Sequence, residues 1–126
     1  MSIETFVSRT PEGEKVKTSW GELNWKVTGT SFPGAEMTFG TCHINPGQRN
    51  PLHSHPNCEE FLYIVSGSCE HKLGDETTMM EPGDVIRIPR DVRHWARAVG
   101  DVPVFALIMF SSGTRTAVDH EGGGVA

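Results

Sequence analysis

The sequence has few cysteines, only three in 126 residues. Cys42, Cys58 and Cys69 are too few for a disulfide framework, odd in number, and form no CxxC pair. We therefore interpret them as reduced thiols that fill space in a core. Reduced thiols make the cytoplasm the simplest location for this chain.

Long apolar runs and excess positive charge are also missing. No apolar run approaches the roughly 20 residues that a bilayer-spanning helix needs, and residues 1–15 lack the pattern of a signal peptide. Eleven lysines and arginines against 16 acidic residues give a formal net charge of −5. This balance argues against nucleic acid or an anionic membrane as a partner and leaves a small-molecule ligand.

Helical periodicity is absent as well, since no segment of ten or more residues has the apolar spacing of an amphipathic helix. Short apolar or alternating runs are instead separated by turns rich in glycine and proline, which is typical of an all-β sandwich or barrel. The length fits one domain. We expect an N-terminal arm with edge strands over residues 1–30, a barrel over 31–112, and a flexible, glycine-rich C-terminal tail over 113–126.

The segment 47–67 is the densest in residues that can bind a metal. His53 and His55 are two residues apart, and because strand side chains alternate between faces, both imidazoles leave the same face. A proline and an asparagine then break the strand, so the chain can return antiparallel and bring a carboxylate opposite the histidines. Glu59 or Glu60 supplies this carboxylate, and alternation alone leaves both open.

A third imidazole, His94, lies between a proline-containing turn and another extended segment. Three imidazoles and one carboxylate suit one divalent transition metal, and Fe, Mn, Ni, Zn and Cu are not distinguishable from the sequence. Four protein ligands leave coordination positions open, as in a reactive site. Cys58 lies between the histidines and the glutamates, but a free cysteine is more often a buried apolar residue.

The chain resembles the cupin superfamily. The first cupin motif is a glycine, five residues, HxH, three or four residues, a glutamate, six residues and a glycine, and residues 47–67 match every position. The second motif is a glycine, five residues, PxG, two residues, a histidine, three residues and an asparagine. Residues 83–98 match it in part, with Asp91 for the turn glycine and Ala98 for the asparagine. The resemblance covers roughly residues 37–110 and implies a single-domain jelly-roll β-barrel, the double-stranded β-helix, with a metal near its axis.

The family spacing also separates the two glutamates. Six residues lie between Glu60 and Gly67, so the resemblance favours Glu60 as the fourth metal ligand. The opposite face of the same strand then carries Phe61, Tyr63 and Val65. We expect the N-terminal arm or a second subunit to bury this face, and a homodimer is in keeping with the dimers common in the family.

Further residues near the predicted ligands are candidates for contacts with a substrate or with the ligands themselves. Arg49 is among them because an arginine fork suits a carboxylate. The set comprises Gln48, Arg49, Glu59 and His43. We interpret the two other histidines, His71 and His120, as solvated.

The predicted site indicates a small metalloenzyme that acts on a small polar metabolite. An oxygenase, an isomerase, a lyase and a cyclase all use such a site, and the sequence does not separate them. The alternative is a non-catalytic module that binds or senses a metabolite or a metal.

Overall fold

The computed structural model describes residues 1–122. A short 3-10 turn at Ile3–Phe6 precedes eleven β-strands. In chain order, β1 to β11 span Glu14–Lys17, Gly21–Val27, Thr38–Ile44, His53–Ser54, Glu60–Ser66, Ser68–Leu73, Glu76–Met80, Val85–Ile88, His94–Val99, Val104–Phe110 and Val118–Asp119.

The strands form two antiparallel sheets whose inner faces enclose one core. One sheet has six strands in the order β1-β2-β3-β10-β5-β8, and the other has five in the order β11-β4-β9-β6-β7. Burial alternates along the central strands, with every second residue of β10 buried. The structure therefore confirms the predicted all-β, single-domain jelly-roll barrel.

Strand β5 shows how the core positions a charged residue. Leu62 and Ile64 point inward and are buried, and Glu60 lies on the same face at the start of the strand. Because strand side chains alternate, the carboxylate of Glu60 must also enter the apolar interior. Such burial is costly for a charge unless a partner compensates it.

The N-terminal residues contribute to the barrel itself. Strand β1 pairs with β2, and β2 pairs with β3, so the predicted edge strands extend the six-stranded sheet. The arm does not cover the outer face of β5, where Phe61, Tyr63 and Val65 remain 40%, 38% and 40% exposed. The N-terminal arm is therefore not the cover that was expected for this face, and burial by a second subunit stays a prediction.

The predicted flexible tail is hydrogen-bonded to the barrel over its described part. Strand β11 pairs with β4, and the carboxylate of Glu121 accepts hydrogen bonds from the Arg49 guanidinium at 2.8 and 3.0 Å. The composition of residues 113–122 is that of a loop, but the edge of β4 supplies backbone partners that composition does not reveal. Residues 123–126 lie outside the described residues.

The three cysteines are free and buried, in agreement with their interpretation as core thiols. Burial raises the pKa of each of them, to about 11 for Cys69, so that the thiols stay protonated at neutral pH. Within residues 1–122, no helix has the length and apolar character needed to cross a membrane. The cytoplasmic location stays a prediction.

Candidate metal centre

Four buried side chains bring their ligand atoms together inside the barrel. One ligand atom each of His53, His55, Glu60 and His94 lies within 4.8 Å of the others. The sheets converge here, because β4 pairs with β9 in a register that sets His53 opposite His94, while Glu60 comes from β5 in the other sheet. The four residues brought together are the four predicted ligands.

Each imidazole is oriented by a hydrogen bond to the backbone. The Nδ1 atoms of His53, His94 and His55 lie 2.7, 3.0 and 2.9 Å from the carbonyl oxygens of Pro51, Val92 and Thr116, respectively. A carbonyl oxygen only accepts, so each Nδ1 must carry the proton and donate it. In the neutral ring, Nε2 is then left as a lone pair, the form that binds a metal.

Lone pairs therefore face one another at the centre of the site. Oε1 of Glu60 lies 3.2 Å from Nε2 of His55 and 3.3 Å from Nε2 of His94. These three atoms are buried and have no hydrogen-bond partner among residues 1–122. Three converging acceptors without a donor would be unfavourable in a protein interior, and a divalent cation would satisfy all of them.

The charge states of the site also suit a metal. Burial, and then the neighbouring His94, lower the pKa of His53 to about 3. Burial raises the pKa of Glu60, whereas hydrogen bonds from His55 and His94, which require protons on their Nε2 atoms, would bring this pKa below its usual range. A bound cation would take the place of those protons, so that His53 is neutral and Glu60 ionised, as metal ligands must be.

A narrow cavity adjoins the metal ligands. It leaves about 30 Å³ for the centres of water-sized molecules, which is room for about two waters. The cavity is lined by Trp20, Leu23, Trp25, Cys42, Asn50, Leu62, Ile108, Phe110 and Arg115, in addition to His53, His55 and Glu60. Most of this wall is apolar, so few polar groups other than the ligands, Asn50 and Arg115 could hold a water there.

Sequence reasoning missed Arg115, because this residue lies in the predicted tail. Its guanidinium carbon is 3.9 Å from the centroid of the Trp25 ring and 5.2 Å from that of Phe110. Trp20 and Trp25, which also line the cavity, were not among the predicted site residues. No local signal in the sequence relates these residues to the histidines.

Residues 111–121, here called the C-terminal strap, supply the carbonyl that orients His55. The side chain of Asn57 holds the strap in place, since its Nδ2 donates to the carbonyl of Thr114 at 2.9 Å. Its Oδ1 accepts from the backbone N–H of Thr116 at 2.9 Å and from the hydroxyl of Thr116 at 3.0 Å. Asn57 thus fixes the Thr116 carbonyl that binds His55.

Loss of the Asn57 side chain is expected to weaken metal binding indirectly. In Asn57→Ala, three hydrogen bonds to the strap disappear and the Thr116 carbonyl is no longer held against His55. Changes in groups that orient metal ligands typically cost about 10- to 100-fold in affinity, and we expect a loss in this range. Competition with a chromogenic chelator measures it.

Thr114→Ala is the matched control, because Asn57 binds the backbone carbonyl of Thr114, whereas the Thr114 hydroxyl is hydrogen-bonded to that of Ser112 within the strap. This variant should bind metal as the unaltered protein does. Equal affinities for Asn57→Ala and Thr114→Ala would show that the strap has no influence on the metal ligands.

Two of the predicted contact residues lie on the outside of the barrel. Glu59 accepts a hydrogen bond from the Arg87 guanidinium at 2.8 Å. His43 is exposed and packs its ring against Phe105, with the ring centroids 4.5 Å apart. His43 leaves the outer face of β3, and Glu59 precedes the first residue of β5, so closeness in sequence to site residues does not bring either of them to the cavity.

Gln48 and Arg49 also lie away from the metal ligands. They line a surface groove rather than the cavity. The guanidinium of Arg49 pairs with Glu121 and lies 5.2 Å from the centroid of the Trp95 ring. Glu121, which pairs with Arg49, belongs to the C-terminal strap, so the sequence around Arg49 could not reveal this ion pair.

The interpretation of the two remaining histidines as solvated is wrong for His71 and holds only in part for His120. His71 is only 1% exposed because it shares the inner face of β6 with Cys69, and its ring is nearly parallel to that of His94, with centroids 6.0 Å apart. Burial lowers the pKa of His71 to about 4. His120 is half-buried, and its Nε2 lies 2.8 Å from the hydroxyl of Ser54.

Comparison with known proteins adds family relationships to this geometry. A sequence model of the cupin domain matches residues 40–110. Protein SchB of Streptomyces halstedii is 35% identical over 82 residues, which are 65% of this chain and 59% of SchB. The protein named polyketide synthase CurC, of Streptomyces cyaneus, is 36% identical over 81 residues, which are 64% of this chain and 53% of CurC.

Solved structures show the same fold. The oxalate decarboxylase of Lactobacillus farciminis, solved as a formate complex, superposes with a TM-score of 0.82 at 24% identity and covers 89% of this chain and 35% of the decarboxylase. At this identity, the likeness concerns the fold alone. The chain spans between half and two-thirds of the length of the two Streptomyces relatives.

Proposed function

Because this chain belongs to the cupin family, we propose that it is a metalloenzyme that acts on a small polar metabolite. The proposed ligands of its one divalent transition-metal ion are His53, His55, Glu60 and His94. The observation that carries this proposal is the meeting of buried lone pairs from Glu60, His55 and His94 with no donor among residues 1–122. A structural core would not leave such acceptors facing one another.

The residues around the site have separate tasks in this proposal. When bound, the metal would act as a Lewis acid toward an oxygen of the substrate. The backbone carbonyls hold the three imidazoles in the tautomer that presents Nε2. Glu60 compensates part of the charge, and the aromatic side chains of Trp20, Trp25 and Phe110 restrict water at the site.

The reaction is proposed to be of the oxygenase, isomerase, lyase or cyclase type. The printed name of CurC concerns polyketides, which supports the inclusion of β-diketones among the substrates to be tested. The protein should be loaded separately with Fe(II), Mn, Ni, Zn and Cu and offered β-diketones, catechols and uronates. Oxygen uptake and product formation are then measured by an oxygen electrode and by chromatography.

We expect turnover of one substrate class with one or two of these metals, and no turnover in His94→Ala. Failure of every metal with every substrate class would contradict an enzymatic role. Retention of a metabolite through purification without product formation would then favour the non-catalytic binding module.

We also propose that the protein forms a homodimer through the outer face of β5. Phe61, Tyr63 and Val65 are partly exposed there, and Val85 of the adjacent β8 is 57% exposed. An isologous contact between two copies would bury this apolar surface twice. Light scattering should then give about twice the chain mass of 13.8 kDa.

Tyr63→Glu is expected to convert the dimer to a monomer, since it would place a charge inside the contact. Val102→Glu is the matched control, because Val102 is 55% exposed but lies in a turn outside this face. The control should remain dimeric. A mass of 13.8 kDa for the unaltered protein, or a dimer in both variants, would rule out this interface.

A further inference from the structure

Two surface grooves approach the inner cavity from different sides. One groove of about 540 Å³ shares Trp25 and Arg115 with the cavity, and it is here called the Trp25 groove. The other, of about 470 Å³, is the groove that Gln48 and Arg49 line; it shares Trp20 with the cavity and is here called the Trp20 groove. Since the cavity has room for about two waters, a larger molecule enters only when one of these partitions moves.

Trp25 is held firmly in its partition. It lies within β2, between its neighbours β1 and β3. Gly40 of β3 leaves room for the ring, since a Cβ there would lie 2.8 Å from Cε3 of Trp25. The ring also packs edge-on against Phe110, with centroids 5.8 Å apart, and the guanidinium carbon of Arg115 lies 3.9 Å from its centroid. Movement of Trp25 would disrupt all of these contacts together.

Trp20 is held mainly by its backbone. It lies in the turn before β2, where its N–H donates to the Thr18 hydroxyl at 3.3 Å and its carbonyl accepts from the N–H of Asn45 at 2.9 Å. Its side chain is only 4% exposed, and the indole N–H finds no acceptor among residues 1–122. An indole N–H only donates, so its burial without an acceptor is unfavourable. Rotation of the side chain toward the groove would let water accept this hydrogen bond, which favours opening.

We propose that Trp20 is the gate through which small molecules reach the inner cavity from the Trp20 groove. The backbone hydrogen bonds of Trp20 stay in place when its side chain rotates. Gln48 and Arg49 would then flank the path to the metal ligands rather than the ligands themselves. This inference goes beyond the proposed function, because entry into the cavity is tested without a metal.

The thiol of Cys42 reports on entry, because it lines the inner cavity and is only 2% exposed. Methyl methanethiosulfonate is a small neutral reagent that transfers its methylthio group to a thiolate and releases methanesulfinate. Cys69 is the internal control, since it is fully buried but does not line the cavity. Each labelling rate in the metal-free protein is measured by peptide mass spectrometry and divided by the rate in the urea-unfolded protein.

We expect Cys42 to be labelled at least about 10-fold faster than Cys69 on this scale, because local opening is more frequent than global unfolding. The rate for Cys42 should also hardly change at low urea concentrations. Equal rates for the two thiols, with the same dependence on urea, would mean that the cavity opens only when the protein unfolds and would overturn the gate.

Two groove-filling variants identify the route. Ser19 lines the Trp20 groove and Thr30 lines the Trp25 groove, and both are exposed. Ser19→Phe should slow the labelling of Cys42 several-fold by covering Trp20, whereas the matched Thr30→Phe should leave it unchanged. Any other pattern, above all slower labelling in Thr30→Phe alone, would overturn the role of Trp20.

Trp20→Ala removes the gate itself. Labelling of Cys42 should then rise at least about 10-fold while that of Cys69 is unchanged. If the variant is merely less stable, both thiols react faster to the same extent, and the two groove-filling variants, which leave the core intact, decide the question. None of these rates depends on a bound metal, so a protein without metal would contradict the proposed function and not the gate.

Discussion

Replacement of Glu60 by alanine is expected to abolish stoichiometric metal binding. Among residues 1–122, Glu60 supplies the only carboxylate at the convergence of the three imidazoles, and without it the buried metal charge would be uncompensated. Loss of a direct ligand should exceed the roughly 10- to 100-fold loss that follows from changes in orienting groups. Plasma emission analysis after equilibrium dialysis should find about one ion per chain in the unaltered protein and almost none in Glu60→Ala.

Glu59→Ala is the matched control, since it removes the same group one residue earlier. Glu59 pairs with Arg87 on the outside of the barrel, and its loss should leave metal content unchanged. His53→Ala and His94→Ala should resemble Glu60→Ala. Metal retention in Glu60→Ala together with loss in Glu59→Ala would show that β5 presents the opposite face to the interior.

Metal removal is expected to produce the largest change in stability. A ligand that binds only the folded state at 1,000 times its Kd stabilises that state by about 4 kcal/mol, which for a domain of this size raises Tm by on the order of 15 °C. The metal also removes the unfavourable meeting of lone pairs between Glu60, His55 and His94. Thermal unfolding followed by circular dichroism, with and without a chelator, measures this difference.

His94→Ala shows whether this stabilisation comes from the proposed site. The variant lacks one of the four ligands, so its Tm should hardly respond to metal or chelator. An equal increase in Tm for His94→Ala and the unaltered protein would mean that metal binds elsewhere on the chain, and no response in either would mean that no folded-state site exists.

The cluster of three histidines and one glutamate was predictable in part from strand alternation and in part from the family motif, whose spacing selected Glu60 over Glu59. The predicted antiparallel return directly after His55 is wrong, because β4 pairs with β9 and β11 and Glu60 comes from β5 in the facing sheet. The structure brings the four side chains within 4.8 Å of one another. The all-β fold was predictable for a similar reason, since its strands are short, alternating and separated by clear turns.

The C-terminal strap was not predictable, because its contacts join residues about 60 positions apart in sequence. Asn57 binds Thr114 and Thr116 across this separation, and His55 donates to the Thr116 carbonyl. Glycine and polar residues in a segment indicate weak local structure, but they do not indicate which backbone groups find partners elsewhere. Arg115 was missed for the same reason.

The prediction that His71 is solvated was wrong because it relied on the polarity of the side chain and not on the alternation of strand faces. His71 is separated by two positions from Cys69, which is buried, and the strand places both on the inner face. The alternation of β6 could have revealed this position. His43 illustrates the opposite case, since it directly follows the buried Cys42 and therefore points outward.

X-ray absorption at the edge of the bound metal tests the four-ligand site most directly. With zinc bound, three imidazoles and one carboxylate predict nitrogen and oxygen neighbours at about 2.0–2.2 Å. The spectrum should also show the multiple scattering that is typical of histidine rings. Weaker imidazole scattering in His94→Ala would show that the ring of His94 is bound to the metal. A sulfur neighbour at about 2.3 Å would instead assign a cysteine such as Cys58 to the metal, and a spectrum without imidazole scattering would contradict the site altogether.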